Sequence, residues 1–177
     1  MDKSIKLLDR DTVLEITYED MIKYHGRFNI GGVALAYQSL DLGLSKLVPA
    51  GQTPHREKIC FNSALGPTAT GVVDGVEMAT RALTRGCLST DMACGTGIDA
   101  PQNPDGGKFY FEVIYDKAKI GLELKAGLIP EEFTGLLMVA MSRRLNTEEM
   151  KRLQEVKEEI AATVMAAQPE DLFIIHY

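Results

Sequence analysis

The sequence contains no tryptophan, three histidines and three cysteines, Cys60, Cys87 and Cys94. No two cysteines form a Cys-x-x-Cys pair, which excludes the usual zinc-finger pattern. An odd number of irregularly spaced cysteines favours reduced thiols over a disulfide framework. No apolar run approaches the roughly 20 residues of a membrane-spanning helix, and the first residues show no signal-peptide pattern. We therefore expect a cytoplasmic protein.

Acidic residues outnumber basic ones, 25 to 19. The net charge is −6 and the pI is about 5.1, and no basic run or basic–aromatic stripe is present. These features favour neither a nucleic acid nor a membrane as partner. The chain has 177 residues, of which 45% are hydrophobic, enough for one sizeable core. We expect a single domain over residues 1–177.

The order of helical and strand patterns predicts an α+β fold rather than a βαβ repeat. The strongest strand signal, at 108–115, is followed by a tight turn and an alternating segment, so a hairpin is expected at about 108–125. A mixed or antiparallel sheet with a single layer of several helices should result. Residues 1–16 are interpreted as a short lead-in with one helical turn or strand. Helices are predicted at 18–24, 31–47, 74–83, 130–141 and 147–167, and further strands at 58–61, 87–92 and 172–175.

The most informative local pattern is Tyr-His-Gly-Arg-Phe-Asn-Ile-Gly-Gly at 24–32. A histidine, a glycine break and a second helix predict a compact corner. His25 either acts as a ligand or acid–base group or bonds a carbonyl at the end of its helix. Arg27 either clamps an anion or forms a surface salt bridge. Asn29 is an N-cap or, with the N–H of Gly31, an anion site.

A second pattern follows the glycine- and threonine-rich segment 63–71, which contains Thr68 and Thr70. Asp74 and Glu77 have the spacing of a capping box, so a helix is predicted to begin at Asp74. Asp74 is either this cap or a catalytic base.

Three blocks resemble the FmdE family, which is named after a component of formylmethanofuran dehydrogenase. Residues 25–31 are similar to that family's His-Gly-His-x-Cys-Pro-Gly corner. Residues 71–77 are similar to its Cys-x-x-Asp helix start, which continues with a small residue, an apolar residue and glutamine. Residues 152–159 and 168–173 resemble its C-terminal helix and the Pro-x-acidic-Leu-Phe sequence that follows it. With the hairpin, these blocks cover nearly the whole chain in the family's order.

The resemblance implies an α+β core, often dimeric, with a metal site built from the corner and the Cys-x-x-Asp block. It also implies association with a molybdenum or tungsten enzyme of methanogenesis. However, several positions differ from the family's pattern. In the corner, Arg27 stands where the family has its second histidine, and Asn29 stands where it has a cysteine. Gly71 stands at the cysteine of the second block, and Ala82 stands where a further cysteine is expected. The cysteine pairs of the family's optional C-terminal zinc finger are absent. Of the aligned ligand positions, only His25 remains. A zinc site needs about four such ligands, or three with water.

Three hypotheses follow. In the first, an accessory protein of this family type binds a metal or a small ligand between the His25 corner, segment 63–71 and the Asp74 helix start. A metal, zinc or another transition metal, would use His25 with Cys60, Cys87 or Cys94. A small anion would instead use the polar groups of the corner and the threonine segment, which are Arg27, Asn29, Gly31, Thr68 and Thr70.

The second hypothesis is an enzyme for a small anionic substrate, with His25 as acid–base group, Arg27 as anchor and Asp74 tuning the histidine. The third is a structural homodimer that has lost its metal site. Segment 109–115 and the last long helix are its candidate interfaces. A homodimer, a small molecule or metal, and a larger oxidoreductase complex are the expected partners.

Overall fold

The computed structural model describes residues 3–177 and confirms the α+β fold. Short 3-10 helices span Arg56–Lys58 and Met92–Gly95. The strands are β1 (Ser4–Asp9), β2 (Thr12–Thr17), β3 (Ile59–Ser63), β4 (Leu88–Ser89), β5 (Tyr110–Tyr115), β6 (Ala118–Leu124) and β7 (Phe173–His176). The helices are α1 (Tyr18–His25), α2 (Ile30–Leu47), α3 (Thr70–Thr80), α4 (Glu131–Ser142), α5 (Thr147–Ala166) and α6 (Pro169–Leu172).

The main sheet has five strands in the order β4-β3-β5-β6-β7. Strands β3 and β4 are parallel and the other neighbours are antiparallel, so the sheet is mixed. The predicted hairpin is confirmed as β5–β6. Its turn places Asp116 at a positive φ of 57°, a conformation that aspartate tolerates better than most residues.

Alternate residues of β5 serve different faces of the sheet. Phe111 and Val113 are fully buried in the main core, beneath α2. Tyr110 lies in a smaller cluster with Ala64 and Ala100, on which Cys94 and Ile98 also pack. The second face of β5 is therefore covered by the irregular segment after β4 rather than by a long helix.

Helix α2 lies at the centre of the fold. Most of its residues are buried, and α1, α3 and α5 pack around it while it rests on β5 and β6. Small residues allow this close packing. A Cβ on Gly43 would lie 2.5 Å from Val113 Cγ2, and one on Gly32 would lie 3.2 Å from the Cα of Gly71.

The first two strands were not fully predicted. Residues 4–17 form the antiparallel hairpin β1–β2, whereas the sequence suggested only a helical turn or a single strand. The turn at Arg10 and Asp11 contains no glycine or asparagine, the usual signal for a tight hairpin, although Arg10 has a φ of 55°. Half of the residues of β2 are also exposed and only Ile16 is buried, so its apolar pattern is weak.

The predicted start of α3 at Asp74 is wrong. The helix begins at Thr70, and no side chain caps it. Asp74 lies inside the helix, and its carboxylate bonds His25. Glu77 does not reach back to the helix start: its Oε2 accepts hydrogen bonds from the backbone N–H groups of Leu83 and Thr84. Both acidic groups serve tertiary contacts that the sequence spacing does not show.

The two segments considered as dimer interfaces contribute to the core of the single chain. Phe109, Phe111 and Val113 are buried, and so is the apolar stripe of α5 that includes Val156 and Ile160. Helix α4 differs, because it is mostly apolar yet has no buried residue. Within residues 3–177, no helix combines the length and apolar character needed to cross a membrane.

The close approach of α2 and α3 predicts opposite effects of alanine at two helical glycines. A Cβ on Gly71 would collide with the carbonyl oxygen of Asn29, so Gly71→Ala should destabilise the fold by about 1–3 kcal/mol. Gly135 in α4 has nothing within 4 Å of such a Cβ, so Gly135→Ala should stabilise by about 0.5–1 kcal/mol. Urea unfolding of both variants measures the difference, and equal stabilities would contradict this packing.

Candidate functional site

A cavity of about 420 Å³ lies beside the start of α2. Helix α4 forms one wall and α5 another, while the first turns of α2 and α3 and the loop around residue 104 complete it. Its lining consists of Asn29, Gly31, Gly32, Leu35, Leu65, Thr68, Ala69, Gly71, Val72, Asn103, Pro104, Asp105, Phe109, Ile129, Phe133, Leu137, Ala140, Met141, Lys157 and Ile160.

The lining is mostly apolar and has few polar groups. Lys157 and Asp105 are the only charged residues in it. A volume of this size and an apolar wall with a few polar side chains are typical of small-molecule sites, which measure roughly 300–1,000 Å³. The cavity can therefore hold an apolar molecule that carries one or two polar groups.

Lys157 is the most unusual residue of the cavity. Only 8% of it is exposed, and it forms no ion pair with an acidic side chain among residues 3–177. Its Nζ donates to Asn29 Oδ1 at 2.8 Å and lies 4.0 Å from the centre of the Phe28 ring. Burial lowers the pKa of this amine, because the apolar surroundings disfavour the ammonium.

Asn29 positions this amine. Its Oδ1 accepts from Lys157, and its Nδ2 donates to Thr70 Oγ1 at 2.8 Å. The predicted N-cap role of its side chain is wrong, because Asn29 occupies the cap position of α2 without a capping hydrogen bond. The side chain instead links α5 to the first turn of α3. Thr70 supports Asn29 and does not itself line the cavity.

Another part of the lining is polar and comes from two loops. Thr68 Oγ1 donates to Asp105 Oδ2 at 3.3 Å, and Asp105 Oδ1 accepts from the N–H of Gly107. The Oδ1 atom of Asn103 is buried without a hydrogen-bond partner among the described residues. Since a buried acceptor normally has a partner, this oxygen can accept a hydrogen bond from a ligand or from water.

His25 and Asp74 meet outside this cavity. His25 Nδ1 and Asp74 Oδ2 are 2.7 Å apart, and the histidine side chain is only 6% exposed. The Nε2 atom of His25 is buried and has no partner within residues 3–177. The suggested bond from His25 to a helix carbonyl is therefore wrong: the ring links α1 to α3 through a carboxylate.

Arg27 points away from the cavity. Its guanidinium pairs with Glu158 at 3.0 Å, and 61% of its side chain is exposed. This contact matches the surface salt bridge that was one of its two interpretations. Of the five residues considered for a small anion, the cavity lining contains Asn29, Gly31 and Thr68.

The structure does not gather the four candidate metal ligands. No group of three or more histidine, cysteine or acidic side chains among residues 3–177 is arranged to hold a metal ion. Burial, and then the neighbouring Cys87 thiol, raises the pKa of Cys60 to about 11. Burial, followed by the charges of Glu112 and Asp91, raises the pKa of Cys94 to about 11. Without a metal, both thiols are therefore protonated near neutral pH.

Sequence reasoning missed Lys157, Asn103, Asp105 and the wall formed by α4. A signal for Lys157 was present, because it lies four residues after Leu153 and three before Ile160 on the buried side of α5. A lysine within such an apolar stripe is unusual and indicates a special environment. Asn103 and Asp105 lie in an irregular loop, whose position no periodic pattern predicts.

Comparison of the sequence with models of known protein families gives no match, and comparison with curated proteins gives no significant match. The likeness to the FmdE family thus stays a prediction from the sequence blocks.

The contact between the buried His25 ring and Asp74 predicts a graded loss of stability. Asp74→Ala should lower the free energy of unfolding by about 1–3 kcal/mol, because it leaves His25 Nδ1 buried without its partner. Asp74→Asn is the matched control, since its side-chain oxygen can still accept from Nδ1–H. Urea denaturation of the two variants tests this, and equal losses would show that the hydrogen bond is not the cause.

Proposed function

We propose that this protein binds a small, largely apolar molecule in the cavity and holds an oxygen of that molecule at Lys157. The observation that carries the proposal is the buried Lys157 amine, which has no acidic partner in the described chain and lies at an apolar cavity wall. A carboxylate or carbonyl oxygen is the matching group, because an ammonium only donates hydrogen bonds.

The energetics support a ligand with such a group. A buried charge without a partner is unfavourable, and a charge-assisted hydrogen bond contributes about 1.5–3 kcal/mol. Asn29 offers only a neutral oxygen to Nζ, so an anionic ligand would stabilise the ammonium further. The aliphatic and aromatic lining would bind the rest of the molecule by excluding water.

This proposal keeps the small-ligand form of the accessory-protein hypothesis and moves its anchor from Arg27 to Lys157. The geometry favours it over the metal form, because no three of the histidine, cysteine and acidic side chains within residues 3–177 are arranged to hold a metal ion. It is also favoured over His25 catalysis, since neither His25 nor Asp74 lines the cavity. The link to a molybdenum or tungsten oxidoreductase stays a prediction from the resemblance.

We also propose that the chain forms a homodimer through α4. Met138 and Met141 of this helix are 59% and 62% exposed, and no charged residue occurs between Glu132 and Arg143. A two-fold contact places the same surface of both copies together, so the uncharged part of α4 at 133–142 brings no like charges into contact. Such a dimer would cover the outer side of the cavity wall.

Ligand binding is tested by calorimetry with decanoate and decanol, which share a chain but differ in charge. The wild type should bind both, and Lys157→Met should weaken decanoate by about tenfold or more while leaving decanol nearly unchanged. Since burial lowers the pKa of Lys157, decanoate affinity should fall as the pH rises through that lowered value.

The matched control is Lys151→Met, which removes an exposed lysine from the same helix. An equal loss of decanoate binding in both lysine variants would contradict the role of Lys157. No binding of either compound to the wild type would contradict the proposed function itself.

The dimer is tested by sedimentation of the wild type and Met138→Glu. The wild type should sediment as a dimer and the variant as a monomer, because the substitution places a carboxylate in the apolar contact. Tyr24→Glu changes an exposed aromatic residue in α1 and should leave the dimer intact. A monomeric wild type would overturn the proposal.

A further inference from the structure

We propose that Lys157 captures its ligand covalently as an imine, so that the natural ligand class is apolar aldehydes or ketones. This inference rests on the proposed function, because it requires a ligand in the same cavity. It goes further because it assigns a chemical step to Lys157. It also names a reactive carbonyl, rather than a carboxylate, as the ligand group that meets the amine.

The geometry holds the amine at the cavity wall. Lys157 and its hydrogen-bond partner Asn29 both line the cavity. Asn29 is itself fixed by Thr70, so the long lysine side chain is held by a support that does not depend on the ligand. Because the lysine side chain is already ordered, the reaction does not cost the conformational entropy of ordering it when the carbonyl compound binds.

The charges around the amine favour its neutral, nucleophilic form. From the corner before α2, Nζ faces the neutral oxygen of Asn29 and the ring of Phe28. From the loop, Asp105 is the only other charged residue of the lining, and the wall provided by α4 carries no charge. No carboxylate within residues 3–177 pairs with the amine, whereas ion pairs hold many other basic residues of this chain.

One contact opposes this effect. The face of the Phe28 ring attracts the ammonium, but the ring is 71% exposed to solvent, which weakens the attraction. Burial acts in the other direction and lowers the pKa of Lys157. A lysine that is desolvated in an apolar pocket has more of its amine in the neutral form, and the neutral amine attacks carbonyl carbons.

The reaction needs no further reagent. The nitrogen lone pair forms a bond to the carbonyl carbon while the carbon–oxygen π bond opens, and a proton moves from nitrogen to that oxygen. The carbinolamine then loses its hydroxyl group with the remaining amine proton as one water molecule, which leaves a carbon–nitrogen double bond. The apolar cavity limits the access of water and so slows the reverse hydrolysis.

Asn103 adds a requirement on the ligand. Its Oδ1 is buried without a partner among the described residues, and the residue lines the same cavity. A hydroxyl or amide N–H elsewhere on the carbonyl compound would satisfy this oxygen. The preferred ligand is therefore an apolar carbonyl compound that also carries a hydrogen-bond donor.

The test is reductive trapping of the whole protein with decanal and sodium cyanoborohydride, followed by peptide mass spectrometry. The hydride adds to the imine carbon and converts the adduct to a stable secondary amine. Lys157 should be labelled faster than the exposed Lys151, because burial favours the neutral form of the Lys157 amine. Prior addition of decanoate should slow labelling of Lys157, and this labelling should persist to lower pH than that of free Nα-acetyllysine.

The variant Lys157→Arg keeps a positive charge but cannot form an imine, so it separates the two proposals. It should lose the decanal adduct while still binding decanoate. Decanoate binding to the wild type without trapping at Lys157 would overturn the imine and leave the proposed function standing. Equal labelling of Lys157 and Lys151, with no protection by decanoate, would also overturn the imine. Absence of both binding and trapping would overturn both proposals.

Discussion

Helix α2 has to pack against four helices, α1, α3, α5 and α6, and against two strands at once, and the surrounding structure depends on that burial. The helix can be enclosed only where its neighbours come close, which is why Gly32 faces Gly71 and Gly43 faces Val113. The corner before α2 is then held between α3 and α5. Asn29 cannot cap its own helix in the ordinary way there, because its side chain joins Thr70 on one side to Lys157 on the other.

The same packing bears on one position of the predicted resemblance to the FmdE family. The resemblance aligns Gly71 with a cysteine, yet any side chain at Gly71 would collide with the carbonyl oxygen of Asn29. Close contact between α2 and α3 therefore occupies the space that a ligating sulfur would need. The space that stays open lies beside it, under α4, and its polar group is an amine rather than a set of thiolates.

Helix α4 links binding to self-association in the proposals. Its inner residues, including Phe133 and Leu137, line the cavity, and Met138 is exposed. A helix with no buried residue is held less firmly than one enclosed by the core, and its displacement would open the cavity to solvent. A partner copy on its outer surface would hold it in place. Ligand entry and dimer formation would then influence each other through one element.

The sequence by itself determined the α+β class, the β5–β6 hairpin and the course of the long helices, because these follow from local periodicity and turn chemistry. It also indicated the corner at 24–32, and the structure does join His25 to Asp74 there. Only the tertiary structure decided that Asp74 is not a cap, that Arg27 points outwards and that Lys157 lines a cavity. Those outcomes depend on which distant side chains meet across α3, α5 and the loops, and local spacing contains no information on such contacts.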